Sequence, residues 1–116
     1  MKHIWMLGTL LFVVAAVGCA SRPTLRTESS MSAIRAAEEV GAREVPRAAF
    51  HLQLAKEELA RAQDLSEKGD KDRAASLLHR AEADAELAIL LSREQAEKSE
   101  AMQAMERVRR LQNDNR

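Results

Sequence analysis

The stretch LSEKGDKD, residues 65–72, marks a reversal in the middle of the helix-rich part of the sequence. Gly69 suits the left-handed position just past the end of a helix, because it has no Cβ. Asp70 can cap the next helix, since its carboxylate can accept hydrogen bonds from the first free N–H groups. The stretch therefore predicts two helices joined by a tight turn at 69–70.

The composition on both sides of this turn is that of long helices. Residues 31–68 and 71–112 are rich in Ala, Leu, Glu, Arg, Lys and Gln, which have the highest helix propensities. Strands are not expected, because β-branched residues are scarce and apolar residues do not alternate with period two. The two arms are nearly equal in length, so we predict an all-α domain over 31–112, folded as a long antiparallel hairpin.

A stripe of apolar residues, mostly at alternating spacings of three and four, follows both arms, as in helices that pack side by side. Its members are Ile34, Gly41, Val45, Ala48, Leu52, Ala55, Leu59 and Ala62, then Ala74, Leu77, Leu78, Ala81, Ala85, Ala88 and Leu91, and finally Met102, Met105, Val108 and Leu111. In the hairpin register Met31 lies opposite Val108. Opposite charges four residues apart, such as Arg80 and Asp84, mark the outer faces.

Pro46 interrupts the first arm, and it has two interpretations: it kinks one long helix, or it begins a new helix after a break. A pair of helices with Ala at half of the seam buries little apolar surface. We therefore expect either a third helical segment, residues 31–45, folded against the pair, or self-association of the chain.

Residues 1–18 have the pattern of a secretory signal peptide. Lys2 supplies a positive start, and residues 4–17 are apolar and uncharged. As a helix this run would cover about 21 Å, which is short of the ~30 Å hydrocarbon core of a bilayer. Its end, AVGC at 16–19, resembles the lipobox of bacterial lipoproteins, with Ala16 where Leu is most frequent.

The lipobox resemblance implies cleavage between Gly18 and Cys19 and lipidation of Cys19. In that family the thiol carries a diacylglycerol and the freed amine is acylated, commonly with palmitate, which together anchor a protein durably. Ala20, in place of Asp, implies the inner leaflet of the outer membrane, facing the periplasm. Residues 19–30 are then expected to form a flexible tether, and 113–116 a frayed C-terminus.

Patterns typical of catalysis, of metal binding or of cofactor binding are not found. His51 and His79 have no HxxxH partner and no cysteine cluster beside them. Acidic pairs such as Glu57 and Glu58 are interpreted as a solvated face, because a thin hairpin has no dry pocket that would shift their pKa. The 18 basic and 18 acidic residues balance, so the chain has no net positive charge that would indicate binding to nucleic acid. We expect a non-enzymatic protein with no cofactor and no metal.

Met102, Met105 and Val108 admit two interpretations. They can continue the seam within the hairpin, or they can form an adaptable docking surface for another protein, because methionine side chains repack easily.

Two resemblances extend over the helical part. Residues 65–70 and 73–81 resemble one inter-helix turn of tetratricopeptide repeats. More of the chain resembles a family of uncharacterised bacterial envelope lipoproteins with a domain of unknown function, through SAIRAAE at 32–38, Pro46, the Leu and Ala pattern of 52–62, and Gly69-Asp70. Some relatives carry this hairpin before a peptidoglycan-binding domain of the outer-membrane-protein-A type, and no part of this 116-residue sequence resembles that domain.

These observations lead to two hypotheses of function. The first is a membrane-anchored lipoprotein that acts as a periplasmic scaffold or adaptor, bound to an envelope protein or to itself. The second is an oligomeric, peptidoglycan-associated spacer resembling the murein lipoprotein. That family ends in a cross-linked Lys, whereas this sequence ends NDNR at 113–116, so we expect the first.

Overall fold

A computed structural model describes residues 27–116, which form three α-helices: α1, Thr27–Glu39; α2, Pro46–Glu67; and α3, Lys71–Asp114. No strand occurs within these residues, so the prediction of an all-α fold is confirmed. The predicted signal peptide, the lipidation site at Cys19 and residues 20–26 of the predicted tether lie outside the described part of the chain. None of the described helices combines the length and the hydropathy needed to cross a bilayer.

The turn between α2 and α3 has the predicted chemistry. Gly69 takes a φ of 85°, the left-handed region that a side chain disfavours. Its N–H donates to the carbonyl of Ser66 at 3.0 Å, and the N–H of Asp70 donates to that of Leu65 at 2.9 Å, which together close a Schellman motif. The Asp70 side chain then accepts a hydrogen bond from the N–H of Arg73 at 3.3 Å, as an N-cap does.

The chain also reverses between α1 and α2, and Gly41 ends α1 as Gly69 ends α2. Its φ is 79°, and the N–H of Ala42 donates to the carbonyl of Ala37 at 3.0 Å in a second Schellman motif. Pro46 occupies the first turn of α2, where its missing N–H is not needed. Of the two interpretations of Pro46, the one with a break and a third helical segment is therefore correct.

The three helices form an up-down-up bundle. His51 meets Asp84 and Glu58 meets Arg80, so α2 and α3 run antiparallel. On the other side, the Ser30 hydroxyl donates to the Leu78 carbonyl at 2.9 Å, and residues further along α1 pack beside residues further along α3. The helix α1 is therefore parallel to α3 and antiparallel to α2.

The helix α1 begins at Thr27, four residues before the predicted domain boundary at Met31. The residues assigned to the end of the tether are helical because tertiary contacts hold them. Ser30 is buried against Leu78, and the Ser29 hydroxyl donates to the Glu82 carboxylate at 3.2 Å. Serine has only modest helix propensity, so these contacts outweigh it.

The core is narrow and built largely from alanine, which lets the helix axes approach closely. Four larger apolar side chains, Ile34, Leu52, Leu78 and Leu91, are buried among fully buried alanines at positions 37, 42, 48, 55, 62, 74, 81, 85 and 88. The predicted stripe thus forms the seam of the bundle as far as Leu91.

Beyond Ser92, α3 continues alone. Apart from the half-buried Ser99, every residue from Arg93 to Arg116 is exposed. The register of a full-length hairpin, with Met31 opposite Val108, is therefore wrong in this half. The turn at Gly41 sends α1 back along the first half of α3, so no described helix is left to cover the second half.

Candidate functional site

The part of α3 that leaves the bundle, residues 93–114, is called the projecting segment. It is about 33 Å long, from the rise per residue of an α-helix. Two ion pairs, each between residues one helical turn apart, join Glu94 to Lys98 at 2.5 Å and Glu106 to Arg110 at 3.2 Å. Each such pair adds only ~0.3–0.5 kcal/mol, so the segment depends mainly on its helix-forming composition.

The residues predicted as a docking surface all lie on the projecting segment. Met102 is 61% exposed, Met105 71% and Val108 53%, and Leu111 on the next turn is 63% exposed. The interpretation that they pack in a seam within this chain is therefore wrong. The interpretation that they dock another protein stays a prediction, and the structure leaves their side chains free to do so.

A second group of side chains crosses the seam between α2 and α3 and is called the polar cluster. His51 Nδ1 lies 2.7 Å from Asp84 Oδ1, and both side chains are about three-quarters buried. Beside them, the Arg80 guanidinium forms an ion pair with Glu58 Oε1 at 2.6 Å. The helix α2 contributes His51 and Glu58 and the helix α3 contributes Arg80 and Asp84, so the cluster links the two helices with polar contacts.

Glu58 is the unusual member of the polar cluster, because it is only 4% exposed and its Oε2 has no hydrogen-bond partner within the described residues. Burial raises the pKa of this carboxyl above its ordinary value of 4.5; Arg80 opposes that rise and the neighbouring Asp84 adds to it. When protonated, Glu58 can donate a hydrogen bond to Asp84.

Sequence reasoning missed this cluster. It assigned Glu58 to a solvated face and paired Asp84 with Arg80 along α3, whereas Asp84 contacts His51 and Arg80 contacts Glu58. A signal was present: Glu58 follows Ala55 by three residues and precedes Ala62 by four, the same spacing as the apolar stripe.

A third group joins α1, the first turn and α2. The Glu38 carboxylate accepts hydrogen bonds from Lys56 on α2 and, at 2.5 Å, from Arg43 in the turn. These two hydrogen bonds, that from Lys56 first, lower the pKa of Glu38 to about 2. The contacts hold the end of α1 against α2, so they are structural in character.

Two hollows of the described surface lie apart from the polar cluster and from Glu38, one on the projecting segment around Met102 and Arg110, the other between α2 and α3 beside Leu65 and Leu77. His79 is exposed on α3, whereas His51 lies in the polar cluster. Within residues 27–116, no three side chains of His, Cys, Asp or Glu come together in a way that could hold a metal ion.

Fold and surface together define a class: a small all-α protein with a three-helix, alanine-rich bundle whose third helix continues unaccompanied. The chain belongs to the family described as Domain of unknown function (DUF4398), whose model matches residues 27–114. This range coincides with α1 to α3, so the projecting segment is part of the family's domain and not an appendage to it. No curated protein and no solved structure matches the chain.

Proposed function

We propose that this protein is a non-catalytic envelope lipoprotein, anchored through acyl chains on Cys19, that serves as a periplasmic scaffold or adaptor. The observation that carries the adaptor role is the projecting segment. A helix that keeps Met102, Met105 and Val108 exposed beyond the end of its own core offers an apolar face to a partner helix. The lipobox resemblance at 16–19 supports the anchor.

The arrangement of the helices suits such a role. Ser30, near the start of α1, lies against Leu78, near the start of α3. The projecting segment leaves the opposite end of the bundle, so its tip at Asp114 is about 54 Å along the helix axis from Leu78. An anchor that precedes α1 would hold one end of the bundle, and the docking face would be presented away from the lipid.

The anchor is tested by intact mass spectrometry of the protein from the bacterial membrane fraction. We expect a mature chain that begins at Cys19 and carries the added mass of a diacylglycerol and an amide-linked acyl chain. A Cys19→Ser variant should lack that mass and be recovered in the aqueous fraction. An unmodified wild-type chain in the aqueous fraction would contradict the anchor, and density separation of the two membranes tests placement in the outer one.

The adaptor role is tested by photo-crosslinking in whole cells. A crosslinking amino acid at Met105 should give discrete adducts, whereas the same group at His79, exposed on the bundle, should give none. Equal labelling from both positions, or none from Met105, would contradict docking through the projecting segment. Co-sedimentation with purified sacculi is the parallel measurement, because retention there would favour a peptidoglycan-associated spacer instead.

A further inference from the structure

Four charged residues on the projecting segment recur at every seventh position and alternate in sign: Arg93, Glu100, Arg107 and Asp114. Because seven residues make almost two helical turns, the four share one side of α3. All four are exposed, and within residues 27–116 none of them forms an ion pair, although Glu94, Lys98, Glu106 and Arg110 around them do. This row of unpaired charges is called the charged flank.

A seam runs directly beside the charged flank. Positions 90, 94, 97, 101, 104, 108 and 111 follow each other at alternating spacings of four and three, and they hold Leu, Glu, Glu, Ala, Ala, Val and Leu. Glu94, Ala101 and Val108 each come immediately after a member of the charged flank. This is the relation of a core position to the flanking position before it in a coiled coil.

We propose that the projecting segments of two copies of this chain pair with each other in antiparallel orientation. When the charged flank meets its own reversed copy, Glu100 lies beside Arg107 of the second copy, and Arg93 lies beside Asp114 of the second copy. Symmetry repeats each contact, so every charge of the flank gains a partner of opposite sign.

The antiparallel register also extends along the whole length of the projecting segment. Ala101 lies opposite Ala104 of the second copy at the centre, where small side chains allow the helices to approach closely. Each tip ends where the bundle of the other copy begins, because the overlap is centred between Met102 and Gln103. Glu97 then lies opposite Val108, and Glu94 opposite Leu111.

A parallel pair is disfavoured by the same residues. It would place Glu94 and Glu97 against their own copies in the seam, and it would bring Arg93 beside Lys98 of the second copy, since flanking positions five residues apart meet in that arrangement. Each of these contacts brings two like charges together, and their repulsion disfavours the parallel pair. The two acidic seam positions remain in the antiparallel pair, but there each faces an aliphatic side chain, so the expected dimer is reversible and of modest affinity.

This inference goes beyond the proposed adaptor role and does not depend on the lipid. It is tested with residues 20–116, which contain all the described helices and no lipidation site, by sedimentation equilibrium over a wide range of concentrations. The wild-type chain should associate to a dimer. Arg107→Glu and Glu100→Arg should each raise the dimer dissociation constant by at least about tenfold, because each sets like charges side by side twice.

Two recombinations of these variants make the test specific. The double variant E100R/R107E restores both contacts in exchanged form and should recover wild-type association. An equimolar mixture of the Glu100→Arg and Arg107→Glu chains should form a heterodimer, although neither pairs well with itself. Circular dichroism confirms that every variant keeps its helix content. A wild-type chain that is monomeric at all concentrations or trimeric, or a double variant that fails to recover, would overturn the proposal.

Orientation is tested by disulfide trapping, for which residues 20–116 offer no competing thiol. In the antiparallel pair the two copies of position 111 are about 26 Å apart, whereas position 111 lies opposite position 94. A mixture of Leu111→Cys and Glu94→Cys chains should therefore crosslink on oxidation, and Leu111→Cys alone should not. A dimer trapped through Leu111→Cys alone would show a parallel pair and overturn the proposal.

Discussion

The ionised carboxyl group of Glu58 destabilises the folded state, because folding buries it. Its Oε1 forms an ion pair with Arg80 at 2.6 Å, whereas its Oε2 is buried without a hydrogen-bond partner among the described residues. The ionised form has lost hydration that one exposed guanidinium only partly replaces. Glu38 is the reverse case, because two cations reach its carboxylate in a site that water still enters. Two glutamates of the same bundle thus have pKa values displaced in opposite directions.

Glu58→Gln is expected to stabilise the protein at neutral pH. A folded-state pKa raised above the unfolded value favours the fold only at low pH, and that contribution is lost as the pH rises through the folded-state pKa. The amide removes the buried charge and can donate to Asp84, so we expect a gain of about 1 kcal/mol at pH 7. Urea unfolding of both proteins at pH 7 measures this difference in the free energy of unfolding.

The gain from Glu58→Gln should disappear below pH 4, where the wild-type carboxyl is already protonated. Glu57→Gln, one residue away and exposed, serves as the control and should change stability by less than about 0.5 kcal/mol at either pH. A Glu58→Gln variant less stable than wild type at pH 7 would show that Arg80 outweighs the loss of hydration.

Glu38 is expected to titrate near pH 2. Since its pKa is lowered in the folded state, its ionised form stabilises the fold above pH 4.5, and this stabilisation is lost as the pH falls from 4.5 toward 2. Carboxyl-carbon chemical shifts, followed by NMR from pH 6 to 1.5, measure the pKa. Lys56→Met should return it part of the way to 4.5; an unchanged pKa in that variant would contradict the assigned cause.

The ends of the helices are set by two glycines with the same local structure. Gly41 and Gly69 have φ values of 79° and 85°, and each closes a Schellman motif at the end of its helix. The helices after these turns begin differently: Asp70 caps α3 with its side chain, whereas α2 starts at Pro46 after Val45, which makes no side-chain cap. The α1–α2 connection therefore depends more heavily on the glycine and the proline.

Gly41→Ala and Gly69→Ala are each expected to destabilise the bundle by about 1–2 kcal/mol, because an L side chain strains the left-handed backbone. The two costs should be similar, because the Cβ at 41 would lie 3.1 Å from Oε2 of Glu44, an exposed side chain that can move, and the Cβ at 69 would meet nothing within 4 Å. Thermal unfolding followed by circular dichroism compares them. Gly69→Asn is the control, because Asn tolerates this conformation and should cost less than Ala.

At the scale of the whole molecule, the two halves of the longest helix, α3, differ in burial. The first half of α3 contributes Leu78, Ala85, Ala88 and Leu91 to the buried seam, whereas the second half is exposed almost throughout. An isolated helix of the second half's length is marginal in water. The stability of the protein therefore resides in the bundle, and the projecting segment is available for contact with a partner.

Two matched Leu→Ala substitutions compare the contributions of the bundle and of the projecting segment to stability. Leu52→Ala removes a side chain that is buried in the bundle and should cost about 2–4 kcal/mol in urea unfolding. Leu111→Ala removes the same atoms from the projecting segment and should change the stability of the monomer by less than about 0.5 kcal/mol. Comparable losses from the two variants at low protein concentration would contradict the expected difference.

Local chemistry could be predicted from the chain. Helix propensity, the conformational freedom of Gly69 and the capping carboxylate of Asp70 act within a few residues, so the all-α class and the α2–α3 turn were accessible to sequence reasoning. Pro46 allowed two alternatives, because a proline in the first turn of a helix and a proline at a kink have similar neighbours.

Packing decided the rest. The start of α1 at Thr27 depends on contacts with residues about fifty positions away, as does the burial of Ser30 against Leu78. Likewise, α1 could have extended along the second half of α3 or folded back on the first; the turn at Gly41 selects the latter, which leaves Met102, Met105 and Val108 uncovered. Such outcomes depend on which helices pack against the same surface. This choice involves residues that are distant in sequence, so a short stretch of neighbouring residues does not reveal it.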